Sequence, residues 1–241
     1  EKLAKTLGVN EDEFNARIGK IRAELATARA KRKAPHRDEK VVTAWNGIMI
    51  AAFAEAAETF GEKRYEAAAL RAGTFMWETM RVDGALKRSF YDGKVGLDGQ
   101  QEDYAFGALG FIALYDMTGD KAWLERAEIL MSEMVKKFRD EKAGDYYMTA
   151  SLNTFGKTKA RSDSGTPSGN AAALEAFAKL SYRAANPEHR INGEALLAAL
   201  SGLATKSPQS NAYSLLAADL QLRGGSGARR YMSRGFVDAR A

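Results

Sequence analysis

The chain has 241 residues, of which 45% are hydrophobic, and this is enough to build a core in one large domain or two small ones. It contains no cysteine, which excludes disulfides and thiolate metal sites within the segment and fits a reducing, cytoplasmic compartment. A net charge of +5 favours contact with anions, whereas the lack of a long uninterrupted apolar stretch argues against a membrane partner.

The N-terminal part of the chain predicts an amphipathic helix followed by a basic surface. Asn10 is suited to cap the helix, and the acids at positions 11–13 suit its first turn. Apolar side chains then recur at helical spacing until Pro35 and predict one buried stripe, formed by Phe14, Ile18, Ile21, Leu25 and Ala28. The basic run from 29 to 40 has no interleaved aromatic residue, so we interpret it as solvated surface and expect no nucleic-acid partner.

The rest of the chain repeats one unit, a helix that is apolar on almost every side followed by a helix with a polar face. The first buried helix runs from 45 to 60, and a second copy follows at a constant offset, at which Phe53 matches Phe111, Gly61 matches Gly119 and Tyr65 matches Trp123. A third, looser copy places its buried helix at 171–180 and a shorter partner at 195–203. Buried helices that alternate with half-exposed ones predict an α/α toroid, with the second set wrapped around the first.

Three polar tracts stand just before the three buried helices, at 35–47, 100–104 and 163–170. Because equivalent segments of a repeat lie at the same end of a stack, we expect the tracts to share one rim. The glycine-containing stretches at 83–91 and 144–148 predict small β-hairpins that lead back toward this rim.

The tracts carry a family resemblance. The segment from Arg32 to Gly47, RKAPHRDEKVVTAWNG, resembles a signature of the spermatogenesis-associated, thioredoxin-domain-containing family, and Glu102-Asp103-Tyr104-Ala105-Phe106 and Pro167-Ser168-Gly169-Asn170 are similar to its later motifs in the same order. The resemblance implies a region similar to six-hairpin glycosidases and sugar 2-epimerases, with an N-terminal thioredoxin-like domain of the full-length protein as a partner.

The resemblance covers the later part of the helical region of that family. It therefore implies an all-α fold, an incomplete α/α toroid of three to four helical hairpins with short β-hairpins at the rim. We expect residues 1–222 to form this partial domain and residues 223–241 to form a glycine- and arginine-rich extended tail.

The resemblance to sugar enzymes, together with the shared rim of polar residues, implies a carbohydrate site, with glycosidase-like or epimerase-like chemistry if it is active. Glycoside hydrolysis needs two carboxyl groups, and epimerisation needs a base beside a carbonyl. The candidate catalytic residues are Asp103, Asp38, Asp163 and His36. The candidate substrate-binding residues, which offer stacking faces or hydrogen bonds to hydroxyl groups, are Trp45, Asn46, Glu102, Tyr104, Tyr91, Arg161, Ser168 and Asn170.

Each candidate also has a structural interpretation. Asp38, Asp103, Ser168 and Asn170 stand where helix caps stand, and Trp45 has the spacing of a core residue. The alternative function is a non-catalytic scaffold that binds a peptide or the thioredoxin-like domain. Two distant histidines and scattered acids lack the spacing of metal ligands, so we expect no metal ion and no cofactor.

Overall fold

The computed structural model describes residues 2–151 and 156–223, and its contacts divide the chain into two units, residues 1–39 and residues from 40 onward. The first unit contains α1 (Lys2–Thr6) and α2 (Glu11–Ala30). The predicted cap of α2 is confirmed, because the Asn10 side chain accepts a hydrogen bond from the Glu13 N–H at 2.8 Å. The predicted buried stripe is wrong, since no residue of α2 is buried and the five-residue α1 is too short to cover it within this unit.

The second unit is built from helical hairpins, as predicted. Its helices are α3 (Thr43–Phe60), α4 (Lys63–Glu78), α5 (Gln101–Thr118), α6 (Lys121–Phe138), α7 (Gly169–Arg183), α8 (Pro187–Lys206) and α9 (Ala212–Arg223). The inner helices α3, α5, α7 and α9 pack side by side in that order, while α4, α6 and α8 each pack on the inner helix that precedes them. The helix α9 was not predicted from the sequence, and α8 is longer than the expected partner.

Burial of the inner helices follows their place in the row. In α5 and α7 most residues are buried, because each helix lies between two inner neighbours and beneath an outer helix. The prediction that these helices are surrounded by protein is confirmed. It is wrong for α3, which packs on α5 along one face while Trp45 and Met49 on the other face are 61% and 46% exposed.

Glycines allow α3 and α5 to approach closely. A Cβ atom on Gly47 would lie 2.4 Å from the backbone oxygen of Phe106, and one on Gly110 would lie 2.9 Å from the backbone oxygen of Gly47. Both distances are below any van der Waals contact, so the two backbones touch at a point where only hydrogen fits. This contact fixes the spacing of the first two inner helices.

The β-hairpins lie at the N-terminal end of these helices. Strands β1 (Val41–Val42), β2 (Arg81–Val82), β3 (Ala85–Tyr91) and β4 (Lys94–Asp98) are antiparallel, in the order β1-β3-β2, with β4 also paired to β3. Asp-Gly pairs with positive φ at 83–84 and 92–93 make the two tight turns, as expected for two-residue hairpin loops. The predicted second hairpin, around 144–148, is reduced to a single bridge between Arg139 and Tyr146.

The expected fold class is confirmed, since the second unit is a partial α/α toroid with short β-strands at its rim and without a closed ring. Within the described ranges, no helix has the length and apolar character needed to cross a membrane. The predicted tail falls almost entirely outside the described residues, so the boundary at 222 stays a prediction.

We predict that Gly47→Ala lowers the free energy of unfolding by about 1–3 kcal/mol, because the added methyl group must push α3 away from α5. Gly202→Ala on α8 is the matched control, since a Cβ atom there meets no atom within 4 Å. The control is expected to leave stability unchanged or raise it by up to about 1 kcal/mol. Urea denaturation followed by circular dichroism measures both, and equal midpoints would contradict the close contact.

Candidate functional site

Asp103 joins the N-termini of two inner helices. Its Oδ1 accepts a hydrogen bond from the Ala44 N–H at the start of α3 (3.0 Å), and its Oδ2 accepts one from the Gln100 N–H at the start of α5 (2.8 Å). Arg88 of β3 also donates to Oδ2 at 3.0 Å. The side chain is fully buried, so Asp103 holds α3, α5 and the hairpin together from inside the rim.

Asp163 makes the same kind of link at the other end of the row. Its Oδ1 accepts from the Ser168 N–H before α7, and its Oδ2 accepts from the Tyr213 N–H at the start of α9, both at 2.9 Å. The free N–H groups of a helix start require acceptors, and the helix dipole favours a negative charge there. One carboxylate therefore stabilises two neighbouring helix ends.

Amide side chains complete the rim between these two carboxylates. Gln101 is buried, and its Nε2 donates to the carbonyl oxygen of Gly169 at 2.9 Å, which links the starts of α5 and α7. Asn170 exchanges two hydrogen bonds with the backbone of Tyr146 and donates a third to the carbonyl of Ala160. The predicted shared rim is thus observed for the second and third polar tracts, together with the start of α3.

Glu102 and Arg88 form the accessible edge of this rim. Arg88 Nη2 donates to Glu102 Oε1 at 2.9 Å, and the two side chains are 25% and 26% exposed. Beside Glu102 lies a narrow crevice lined by Gln100, Gln101, Glu102, Met148 and Ala160, which has no space for a water-sized sphere. Pockets that enclose a drug-sized ligand hold about 300–1,000 Å³, so this crevice encloses no ligand and offers only a surface contact.

The other candidates in the second unit are dispersed. Tyr104 is buried, and its hydroxyl accepts a hydrogen bond from Lys137 Nζ at 2.6 Å, so its ring has no open face. Tyr91 is exposed at the end of β3, and Asn46 bonds back to the Val42 carbonyl. Trp45 is exposed, so its interpretation as a core residue is wrong.

Ser168 and Arg161 have structural partners. The Ser168 hydroxyl accepts from the Ala171 N–H at 3.1 Å as the N-cap of α7. Arg161 Nε donates to Asp145 at 2.5 Å.

His36 and Asp38 belong to the first unit, where both are exposed. Their convergence with the rim carboxylates therefore stays a prediction.

A charged cluster near the rim was missed in the sequence. Asp145 is fully buried and accepts from Lys159 Nζ at 2.6 Å as well as from Arg161. Lys159 and the Tyr147 hydroxyl also donate to Asp140, and these bonds hold the pKa of Asp140 well below its usual range. These partners lie in separate irregular segments, so no periodic pattern could have revealed the cluster.

Burial shifts the pKa of Asp103 away from its ordinary value. Loss of solvation raises its pKa from 3.8 to about 6, against the opposing effects of the Arg88 charge and of the N–H groups of Gln100 and Ala44. A general acid of a glycosidase needs a raised pKa of this kind. It also needs a free path to its substrate, whereas both oxygens of Asp103 already accept hydrogen bonds inside the protein.

The residues described here, 2–151 and 156–223, contain no group of three or more histidine, aspartate or glutamate side chains placed to hold a metal ion. The expectation that the chain uses no metal and no cofactor remains a prediction.

Comparison with known proteins gives sequence relatives from animals. The chain is 28% identical over 193 residues to Spermatogenesis-associated protein 20 of Homo sapiens, and 34% identical over 141 residues to the protein of that name in Rattus norvegicus. The predicted resemblance is confirmed. These matches cover 75% and 54% of this chain but only 25% and 18% of the relatives, so the chain spans at most about a quarter of their length. No family model matches.

Solved structures with the same fold are sugar enzymes. A family 76 α-mannanase of Bacteroides thetaiotaomicron aligns with a TM-score of 0.61 at 14% identity, over 84% of this chain and 57% of the enzyme. Cellobiose 2-epimerase of Bacillus thermoamylovorans aligns with a TM-score of 0.56 at 17% identity, over 76% and 55%. At these identities the likeness establishes the fold, a carbohydrate-enzyme-like α/α domain, and no activity.

We predict that the titration of Asp103 lowers stability as pH rises. Between pH of about 4 and about 6 the folded protein binds more protons than the unfolded chain, so the free energy of unfolding falls across this window. Asp103→Asn does not titrate, and wild type should lose roughly 2–3 kcal/mol relative to this variant between the two ends of the window.

Denaturation at a series of pH values measures this difference, with Glu125→Gln on the exposed side of α6 as the control for loss of one negative charge. A difference that stays constant, or that grows in favour of wild type as pH rises, would show that the carboxylate form is the one stabilised.

Proposed function

We propose that this segment acts as a non-catalytic interaction scaffold within a carbohydrate-enzyme-like α/α domain. One observation supports this role above the others. The two candidate catalytic acids of the second unit, Asp103 and Asp163, each use both carboxylate oxygens to accept backbone N–H groups from two different helix starts.

The chemistry of these acids favours a structural task. A catalytic acid or base must reach its substrate within hydrogen-bond distance and change protonation during the reaction. Moving Asp103 toward a ligand would leave the N–H groups of Ala44 and Gln100 without their acceptor, and Arg88 would keep only its bond to Glu102. An unsatisfied buried donor costs about 1–3 kcal/mol. The rim is therefore suited to hold a row of helices in place.

A second candidate function is carbohydrate binding at the edge of the rim. The ion pair of Arg88 and Glu102 is partly exposed beside Met148. At this surface Glu102 can accept hydrogen bonds from sugar hydroxyls and Arg88 can donate to them. The names of the solved relatives, a mannanase and a cellobiose epimerase, suggest mannose and glucose units as the sugars to test.

The scaffold role predicts that the chain performs no sugar chemistry. Incubation with cellobiose, mannose and an α-linked mannan in D₂O, followed by proton NMR, is expected to show neither hydrolysis nor exchange of the proton at C2. Turnover by wild type that disappears in a folded Asp103→Asn variant would contradict the proposal, because it would assign Asp103 to catalysis.

Binding at the rim edge predicts a specific loss in Glu102→Gln. Mannose or cellobiose should shift the amide signals around residues 100–102 and 148 with millimolar affinity, and Glu102→Gln should weaken this affinity by about tenfold because the amide loses a charged acceptor. Glu125→Gln on α6 is the control. Equal affinity of the Glu102 variant and wild type would exclude this edge as the sugar site.

A further inference from the structure

The outer helices α4 and α6 are bridged by an arginine that is held on two tryptophan rings. The guanidinium carbon of Arg126 on α6 lies 4.4 Å from the centre of the Trp123 ring and 5.3 Å from that of Trp77 on α4. Both rings contact Phe111 of α5, which is fully buried, with ring centres 5.4 and 6.0 Å apart. Aromatic faces attract a guanidinium group and fix its plane. Arg126 is therefore held in position, although it is partly exposed to solvent.

Arg126 lacks the acidic partner that other stacked arginines of this chain have. Arg64 stacks on a tyrosine ring and forms an ion pair with Glu62. Arg81 stacks on a tryptophan ring and forms an ion pair with Glu133. Within residues 2–151 and 156–223, no hydrogen bond or ion pair joins Arg126 to another residue. Its N–H groups are therefore free to donate to water or to a ligand.

The neighbouring charges leave one positive charge unneutralised at this surface. Arg81 lies over the same Trp77 ring as Arg126, at 4.4 Å, and its Nη2 donates to a carboxylate oxygen of Glu133. The two side chains of this pair are only 15% and 20% exposed, and together they carry no net charge. Arg126 is thus an unpaired cation beside a neutral ion pair.

The geometry of a guanidinium group indicates the chemistry of the ligand. Rings that stack on the plane of the group leave its edge open, and two N–H groups on one edge match the two oxygens of a carboxylate or of a phosphate group. Because the rings already hold Arg126 in place, a ligand that binds there costs little side-chain entropy.

We propose that Arg126 forms an oxyanion-binding site on the outer wall of the domain, which takes a carboxylate or phosphate group through paired N–H···O hydrogen bonds. The site goes beyond the proposed scaffold role, because it uses none of the residues that link the helix starts at the rim. It lies between two outer helices that are both described, so it does not depend on what covers the open face of α3.

The test uses the three tryptophans of the whole chain, two of which hold Arg126. Fluorotryptophan is incorporated at all three positions, and each fluorine NMR signal is assigned with a Trp→Phe variant. Sodium phosphate and sodium acetate, each titrated against sodium chloride at constant ionic strength, should shift the signals of Trp77 and Trp123 with millimolar affinity. The signal of Trp45, which lies on α3, should not move and is the internal control.

The two titrations distinguish the sources of the anion. A response to phosphate alone would assign the site to a phosphate group, and a response to acetate alone would assign it to a carboxylate. A response to both would support recognition of the oxyanion chemistry that the two groups share.

Variants locate the bound anion. Arg126→Gln removes the charge and should weaken binding at least about tenfold. Arg126→Lys keeps a cation but loses the paired donors, and should weaken binding about fivefold. Arg190→Gln on α8 is the matched control, since it removes an exposed arginine from another hairpin, and it should change the affinity less than about twofold. Circular dichroism establishes that each variant is folded.

Three results would overturn the inference. Equal shifts of Trp45, Trp77 and Trp123 would show a general effect of the salt on the protein. Unchanged affinity in a folded Arg126→Gln variant would show that the anion binds elsewhere, and unchanged affinity in Arg126→Lys decides the same question if Arg126→Gln does not fold. A lack of any shift with either anion would show that Arg126 binds neither group.

Discussion

The carboxylates shared between neighbouring helix starts hold this structure in register. Parallel helices that begin at one rim bring their unsatisfied N–H groups and positive dipole ends together, which is unfavourable without acceptors. Asp103 supplies them between α3 and α5, and Asp163 between α7 and α9. Each cap contributes about 1 kcal/mol to the free energy of unfolding. Its larger effect is geometric, because one side chain fixes two helices relative to each other.

This arrangement explains why the same residues suit two interpretations. Acids at the starts of buried helices look like a catalytic pair in a sugar-enzyme fold, and the raised pKa of Asp103 strengthens that appearance. The cause of the shift, however, is burial behind Arg88 and the backbone, which also denies a substrate access to the carboxyl group. The fold is similar to those of a mannanase and an epimerase, but one fold can host many functions. The function must therefore be inferred from the residues of the site.

Predictions of buried helix faces from apolar periodicity were correct where another helix covers the face and wrong where no helix does. The buried helices α5 and α7, the turn at Gly119 and the cap at Asn10 follow from spacing and residue type alone. The pattern of α3 is just as apolar and α2 carries a sparser apolar stripe, yet the stripe of α2 and one face of α3 are uncovered. A periodic pattern shows which face of a helix is apolar. It does not show whether another element of the fold covers that face.

Local sequence was therefore enough to establish most of the helices, the cap at Asn10, the hairpin that begins at Asp83 and Gly84 and the polar tracts at the rim, because each depends on residues within a few positions of one another. The roles of Asp103 and Asp163 required the folded arrangement. The N–H groups that they hold come from Ala44 and Tyr213, in segments remote along the chain, and only packing brings these donors to the carboxylates.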